Sequence, residues 1–84
     1  MKVIKLGAEW CMPCKVLDKQ FEKFNKCEVI KYDVEEDYEK AEKYGVRNIP
    51  VTILLDNNDE ELKRWVGNFP IKELEEEIAD YSNH

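Results

Sequence analysis

The chain has 84 residues and a mass of 10.0 kDa, enough for one domain over residues 1–84 and too little for a second. Charged residues make up 38%, with 13 basic against 19 acidic, and the formal net charge of −6 works against a phosphate-binding, nucleic-acid role. Apolar residues reach 43%, which argues against disorder, yet the strongest apolar run, Ile49 to Leu55, is far too short to cross a bilayer. Lys2 and Lys5 interrupt the only apolar stretch at the start, so no signal peptide is expected. The expectation is a soluble, cytoplasmic monomer with no nucleic-acid or membrane partner. Area scaling buries about 64% of the unfolded surface, so a core can form without disulfide staples. In a reducing compartment a close cysteine pair then points to redox chemistry or metal binding.

In chain order, Val3-Ile4-Lys5-Leu6 reads as a short central strand because three of its four residues are apolar. Gly7 to Trp10 form a loop, and Pro13 suits the first turn of a helix running to about Asn25. Val16, Leu17, Phe21 and Phe24 are expected to form its apolar stripe. Glu28 to Val34 is a second strand, with Val29, Lys31 and Asp33 on one face and Ile30, Tyr32 and Val34 on the other. Asp37 is the expected N-cap of a short helix over Tyr38–Tyr44, and Gly45 its left-handed terminator. Val51 to Leu55 is a strand, Asp56 to Asp59 has turn chemistry, and a last strand runs from about Glu61 to Val66. The final helix begins near Pro70 and buries Ile71, Leu74, Ile78 and Tyr81. The order is β-α-β-α-β-β-α: an α/β chain with a parallel first unit, an antiparallel closing hairpin, and helices on both faces of a four-stranded mixed sheet.

The pair Cys11-Met12-Pro13-Cys14 follows the first strand and opens the first helix. Free N–H groups and the positive end of the helix dipole stabilise a thiolate there. Cys11 stands at that end as the better placed nucleophile, while Cys14 is expected one turn in and more deeply buried. A Cys11 thiolate attacks a substrate disulfide, and Cys14 resolves the mixed disulfide within the chain. The alternatives at this point are two ordinary buried cysteines or half of a metal site. A zinc site needs two more ligands, for which only Cys27 and His84 are on offer; an iron–sulfur cluster would have to bridge two chains. No metal is expected. Cys27, at the end of the helix-to-strand turn, reads as a passive small residue.

Trp10-Cys11-x-Pro13-Cys14-Lys15, preceded by Ala8-Glu9, resembles the active site of the thioredoxin family. Tyr44-Gly45-Val46-Arg47-Asn48-Ile49-Pro50 is similar to the family's second landmark, which ends in a cis-proline facing the cysteines, and Val66-Gly67 to its third. The three fall in order over nearly the whole chain, and the resemblance implies a minimal thioredoxin-like fold. It implies Cys11 as nucleophile and Cys14 as resolving thiol, with a cis-Pro50 that leaves the Ile49 backbone open to pair with a substrate strand. Trp10, Ile49 and Gly67 would form a shallow apolar docking surface, joined by Met12 and Pro13 beside the cysteines. It further implies disulfide-containing target proteins, an NADPH-dependent flavin reductase as electron donor, and no cofactor beyond the redox-active cysteine pair.

The chain departs from the family pattern in four places. The N-terminal strand and helix of larger members have no counterpart here, which leaves the form shared with glutaredoxins. Met12 stands where glycine is common, and Lys19 replaces a helix-kinking proline, which predicts a straighter helix. Lys5 occupies the position of the family's buried aspartate beneath the resolving cysteine, and Lys31 that of its usual lysine companion. Both lysines are therefore candidates for tuning the thiol pKa, with their like charges relieved by snorkelling outward or by a lowered pKa. The reading is a protein-disulfide reductase. Its rivals are a glutaredoxin-like electron carrier serving one enzyme, such as a ribonucleotide reductase, and a non-catalytic binding partner of a larger enzyme.

Overall fold

Seven elements follow one another in the computed structural model, which describes residues 1–83: β1 (Lys2–Gly7), α1 (Met12–Phe21), β2 (Glu28–Asp33), α2 (Tyr38–Lys43), β3 (Val51–Leu55), β4 (Glu61–Val66) and α3 (Ile71–Ser82). The strands form one sheet in the order β2-β1-β3-β4. β1 runs parallel to β2 and antiparallel to β3, and β3 pairs antiparallel with β4. The two central strands are covered on both faces, so all five residues of β3 and five of the six in β1 are buried.

Alternation divides these residues between two layers. Val3 and Leu54 face α1 and α3, where they pack with Leu17, Trp65, Phe69, Leu74 and Ile78. Ile4, Leu6, Val51, Ile53 and Leu55 face the other way, under Ile30, Tyr32, Val34, Tyr44 and Val46. Burying each large side chain of this kind contributes about 1.5–3 kcal/mol, which makes the sheet the source of most of the stability. Trp65 stacks on Phe69 with ring centroids 4.8 Å apart and planes 10° from parallel.

Four expectations about the helices need correction. α1 ends at Phe21, not near Asn25. The Glu22 and Phe24 N–H groups donate to the Lys19 and Phe21 carbonyls, tightening the last turn, and Phe24 folds back edge-on to Phe21. Val16 is 55% exposed because it sits a helical step of about 100° from the buried Leu17. Tyr81, in the last turn of α3, is exposed, and the buried residues of that helix are Leu74 and Ile78. Asp37 precedes α2 as expected, but its side chain makes no capping hydrogen bond.

Other local chemistry follows the sequence. Gly45 ends α2 at φ 64°, the left-handed conformation that glycine adopts freely. In the β3–β4 turn, Asp56 Oδ1 accepts from the Asn58 and Glu60 N–H groups at 2.8 and 2.9 Å. α3 begins after Pro70, which offers no side-chain cap, and Gln20 of α1 supplies one instead. Its Oε1 accepts from the Ile71 N–H at 3.0 Å while its Nε2 donates to the Phe69 carbonyl at 2.9 Å, tying the two helices together.

Candidate active site

Central strand β1 ends at Gly7, at one end of the sheet, and a short loop leads from there to α1. Cys11 is the N-cap residue, with extended φ −87° and ψ 107°, and its Sγ accepts a hydrogen bond from the Cys14 N–H at 3.2 Å. Pro13 occupies the first turn, where its missing N–H costs nothing. Cys11 and Cys14 are joined as a disulfide with Cα atoms 5.2 Å apart. The two residues are equally buried, at 4% exposure each, so Cys14 is not the deeper one as expected. A Cβ at position 7 would stand 3.0 Å from the Cys14 sulfur and press on it, so glycine eases the close approach of β1 to the pair.

Two further segments meet the cysteines. Ile49 and Val34 pack against the cluster of Ala8, Cys11 and Cys14. The Ile49–Pro50 peptide is cis, Pro50 is buried, and its carbonyl accepts from the Gly67 N–H at 2.8 Å. Gly67 has φ 85°, which fits a residue without a side chain. Trp10 and Met12 are 67% and 66% exposed, and Val66, beside Gly67, adds a third exposed apolar side chain. The structure therefore gathers Cys11, Cys14, Ile49, Pro50 and Gly67 at one end of the sheet, with Trp10, Met12 and Pro13 at the start of α1.

Sequence reasoning missed three polar contacts here. The Trp10 indole N–H donates to Glu35, and Asn68 Nδ2 donates to the Pro13 carbonyl at 3.1 Å. The third is Asp18. Lys5 and Lys31 are register partners on β1 and β2, and α1 lowers the Asp18 carboxylate between them. Lys5 Nζ bonds Asp18 Oδ1, while Lys31 Nζ reaches Oδ2 at 2.6 Å. Lys5 does not snorkel outward: it is 7% exposed, and its ammonium lies 4.3 Å from the centre of the Phe21 ring. Lys31 does reach solvent. Burial pushes the Asp18 pKa up, but the hydrogen bonds from Lys31 and Lys5 outweigh it and hold the carboxyl below its ordinary value. The spacing of four from Cys14 to Asp18 was the available signal, because it puts both on one side of α1. Cys14, Asp18, Lys5, Lys31 and Pro50 line a cavity of about 20 Å³, room for a single water molecule.

Cys27 is half-buried against the α1–α3 layer, and burial pushes its thiol pKa up, the opposite of activation. No group of three or more potential metal ligands occurs among the described residues, and His84, weighed above as a ligand, lies outside them.

The geometry has counterparts in known proteins. The family model "Thioredoxin" matches residues 1–80. The chain is 41% identical over 80 residues to the SPbeta prophage-derived thioredoxin-like protein YosR of Bacillus subtilis, covering 95% of this chain and 98% of that protein. It is 37% identical to the thioredoxin of Buchnera aphidicola, over 96% of this chain and 79% of the relative. Among solved structures, a point-mutant thioredoxin of Halobacterium salinarum superposes with a TM-score of 0.84 at 30% identity, over 95% of this chain and 73% of that one. Thioredoxin 1 of Thermosipho africanus superposes over the full length of both chains, with a TM-score of 0.80 and 26% identity. The family model spans all but the last four residues, relatives above 35% identity match nearly the whole sequence and solved thioredoxins share its fold; the chain belongs to the thioredoxin family.

Proposed function

We propose that the protein reduces disulfides in target proteins through a Cys11–Cys14 dithiol–disulfide cycle. The observation that carries this reading is the hydrogen bond from the Cys14 N–H to Cys11 Sγ at the start of α1. A backbone donor aimed at that sulfur, together with the helix dipole, stabilises a Cys11 thiolate over the thiol. In the reduced protein Cys11 attacks one sulfur of a target disulfide, and the target's other sulfur leaves as a thiolate. Cys14 then attacks Cys11, the mixed disulfide breaks, and two electrons have passed to the target. The Ile49 backbone, beside Pro50, offers a strand edge to the target, with Trp10, Met12, Pro13 and Gly67 forming the contact surface. The oxidised pair is returned to the dithiol by an NADPH-dependent flavin reductase in the cytoplasm. The form Trp-Cys-x-Pro-Cys favours this donor over glutathione.

Insulin reduction coupled to NADPH and a flavin thioredoxin reductase tests the proposal. Wild type should turn over and Cys11→Ser should not, while Cys14→Ser should accumulate a mixed disulfide with its target. Recycling by glutathione in preference to the flavin reductase would instead favour the electron-carrier reading. Biological activity that survives removal of both cysteines would favour a binding partner. Equilibration against a thiol–disulfide buffer separates directions of exchange: about −270 mV marks a reductant, and about −180 to −120 mV an isomerase or oxidant.

A further inference from the structure

We propose that the Lys5–Asp18–Lys31 cluster supports the thiolate of Cys14, because one carboxylate shared by two ammonium groups leaves a positive charge in the wall of the cavity that Cys14 also lines. This rests on the exchange cycle proposed above and concerns its second step. Each Asp18 oxygen is engaged by its own lysine, Oδ1 by Lys5 and Oδ2 by Lys31. Two positive charges against one negative leave a net charge of one. The Lys5 ammonium is the deepest of the three, with 9% of its side chain exposed against 31% for Asp18 and 62% for Lys31. Its field on a neighbouring sulfur is therefore the least screened by solvent.

The same arrangement argues against Asp18 as the proton acceptor. Its two lysines keep it ionised far below neutral pH, so it is a weak base towards a thiol. The remaining charged groups nearby are Glu9, Lys15, Asp33, Glu36 and Asp37, which line the open cleft outside Asp18 and Lys31. Water in that cleft screens them. The proton of Cys14 passes to water. The Cys14 thiolate then attacks Cys11 Sγ, the bond between the two protein sulfurs forms, and the bond from Cys11 to the target sulfur breaks. The electron pair leaves on the target sulfur, which takes up a proton. A cation that stabilises this thiolate also stabilises the reduced protein, and so raises the reduction potential.

The test is the pH profile of Cys14 alkylation by iodoacetamide in a Cys11→Ser background, read on the Cys14 peptide by mass spectrometry. Lys5→Met should raise the apparent pKa of Cys14 by about one unit, roughly a tenfold loss of thiolate at neutral pH. Asp18→Asn should lower it, and Lys31→Met should raise it by less than Lys5→Met. With both cysteines present, the reduction potential should fall in Lys5→Met and rise in Asp18→Asn. Loss of packing would shift both variants in the same direction, whereas charge shifts them in opposite directions. An unmoved profile in Lys5→Met, or a raised pKa in Asp18→Asn, would overturn the proposal, the latter by making Asp18 the proton acceptor. Should Lys5→Met fail to fold, Lys5→Gln carries the same expectation, and Lys5→Arg should keep the wild-type profile. Alkylation needs no target disulfide, so failure of insulin reduction would sink the exchange cycle without deciding this measurement.

Discussion

The two faces of the sheet solve different problems. Under α2, the inward side chains of the central strands are Ile4, Leu6, Val51, Ile53 and Leu55, an apolar layer throughout. Under α1, one row across the sheet reads Lys31, Lys5, Thr52, Trp65 from edge to edge. That row holds both buried polar or charged residues of the described chain, Lys5 and Thr52. The layer remote from the cysteines is built for cohesion alone. The layer beneath the cysteine helix carries charge at a cost in desolvation, which Asp18 offsets. Stability and reactivity are thus divided between the faces.

The comparison can be broken most forcefully on the apolar side. Ile53 is fully buried, and Ile53→Ala should cost about 3–4 kcal/mol by urea denaturation, a large part of the stability of so small a domain. The same variant should leave the alkylation profile of Cys14 unchanged, since no charge moves. On the other face, Asp18→Ala leaves the Lys5 ammonium without its carboxylate. A loss of about 2 kcal/mol is expected, below the range for a fully buried pair because Asp18 keeps some solvent contact. Thr52 sharpens the contrast in the opposite sense. Its Oγ1 is buried with no hydrogen-bond partner, so Thr52→Val should gain about 1 kcal/mol.

The smallest effect is acid sensitivity. The Asp18 pKa is lowered in the fold, so its contribution is fully present above the unfolded value of about 3.9 and is lost as pH falls through the lower folded value. Wild type should therefore lose more stability between pH 4 and pH 2 than Asp18→Asn does, which denaturation curves at the two pH values would measure. An equal loss in both proteins would remove Asp18 from the account.

Much of this was legible in the sequence because local chemistry and tertiary need coincide. The seven elements, the apolar run of β3, the Gly45 terminator and the Cys11 helix start are each dictated by residues within a few positions of one another. The charge cluster was not legible, because it depends on three elements meeting. Lys5 and Lys31 were visible as neighbours on adjacent strands, but their partner sits on α1, where an aspartate reads as ordinary helix surface. Val16 and Tyr81 failed for a related reason: helical periodicity marks a broad stripe, and the packing partner decides which edge of it is covered. Gln20 is a third case, since a glutamine inside one helix gives no sign that it caps another.

The two tryptophans stand in opposite surroundings. Trp10 is exposed and adjacent in sequence to the disulfide, while Trp65 is 8% exposed and stacked on a phenylalanine in the core. The molecule thereby carries two built-in optical probes. Emission from the solvated indole should respond to opening of the neighbouring sulfur–sulfur bond, while emission from the enclosed one should stay constant until the α1–α3 layer comes apart. Redox state and folding state should therefore separate in a single fluorescence spectrum, without an added dye.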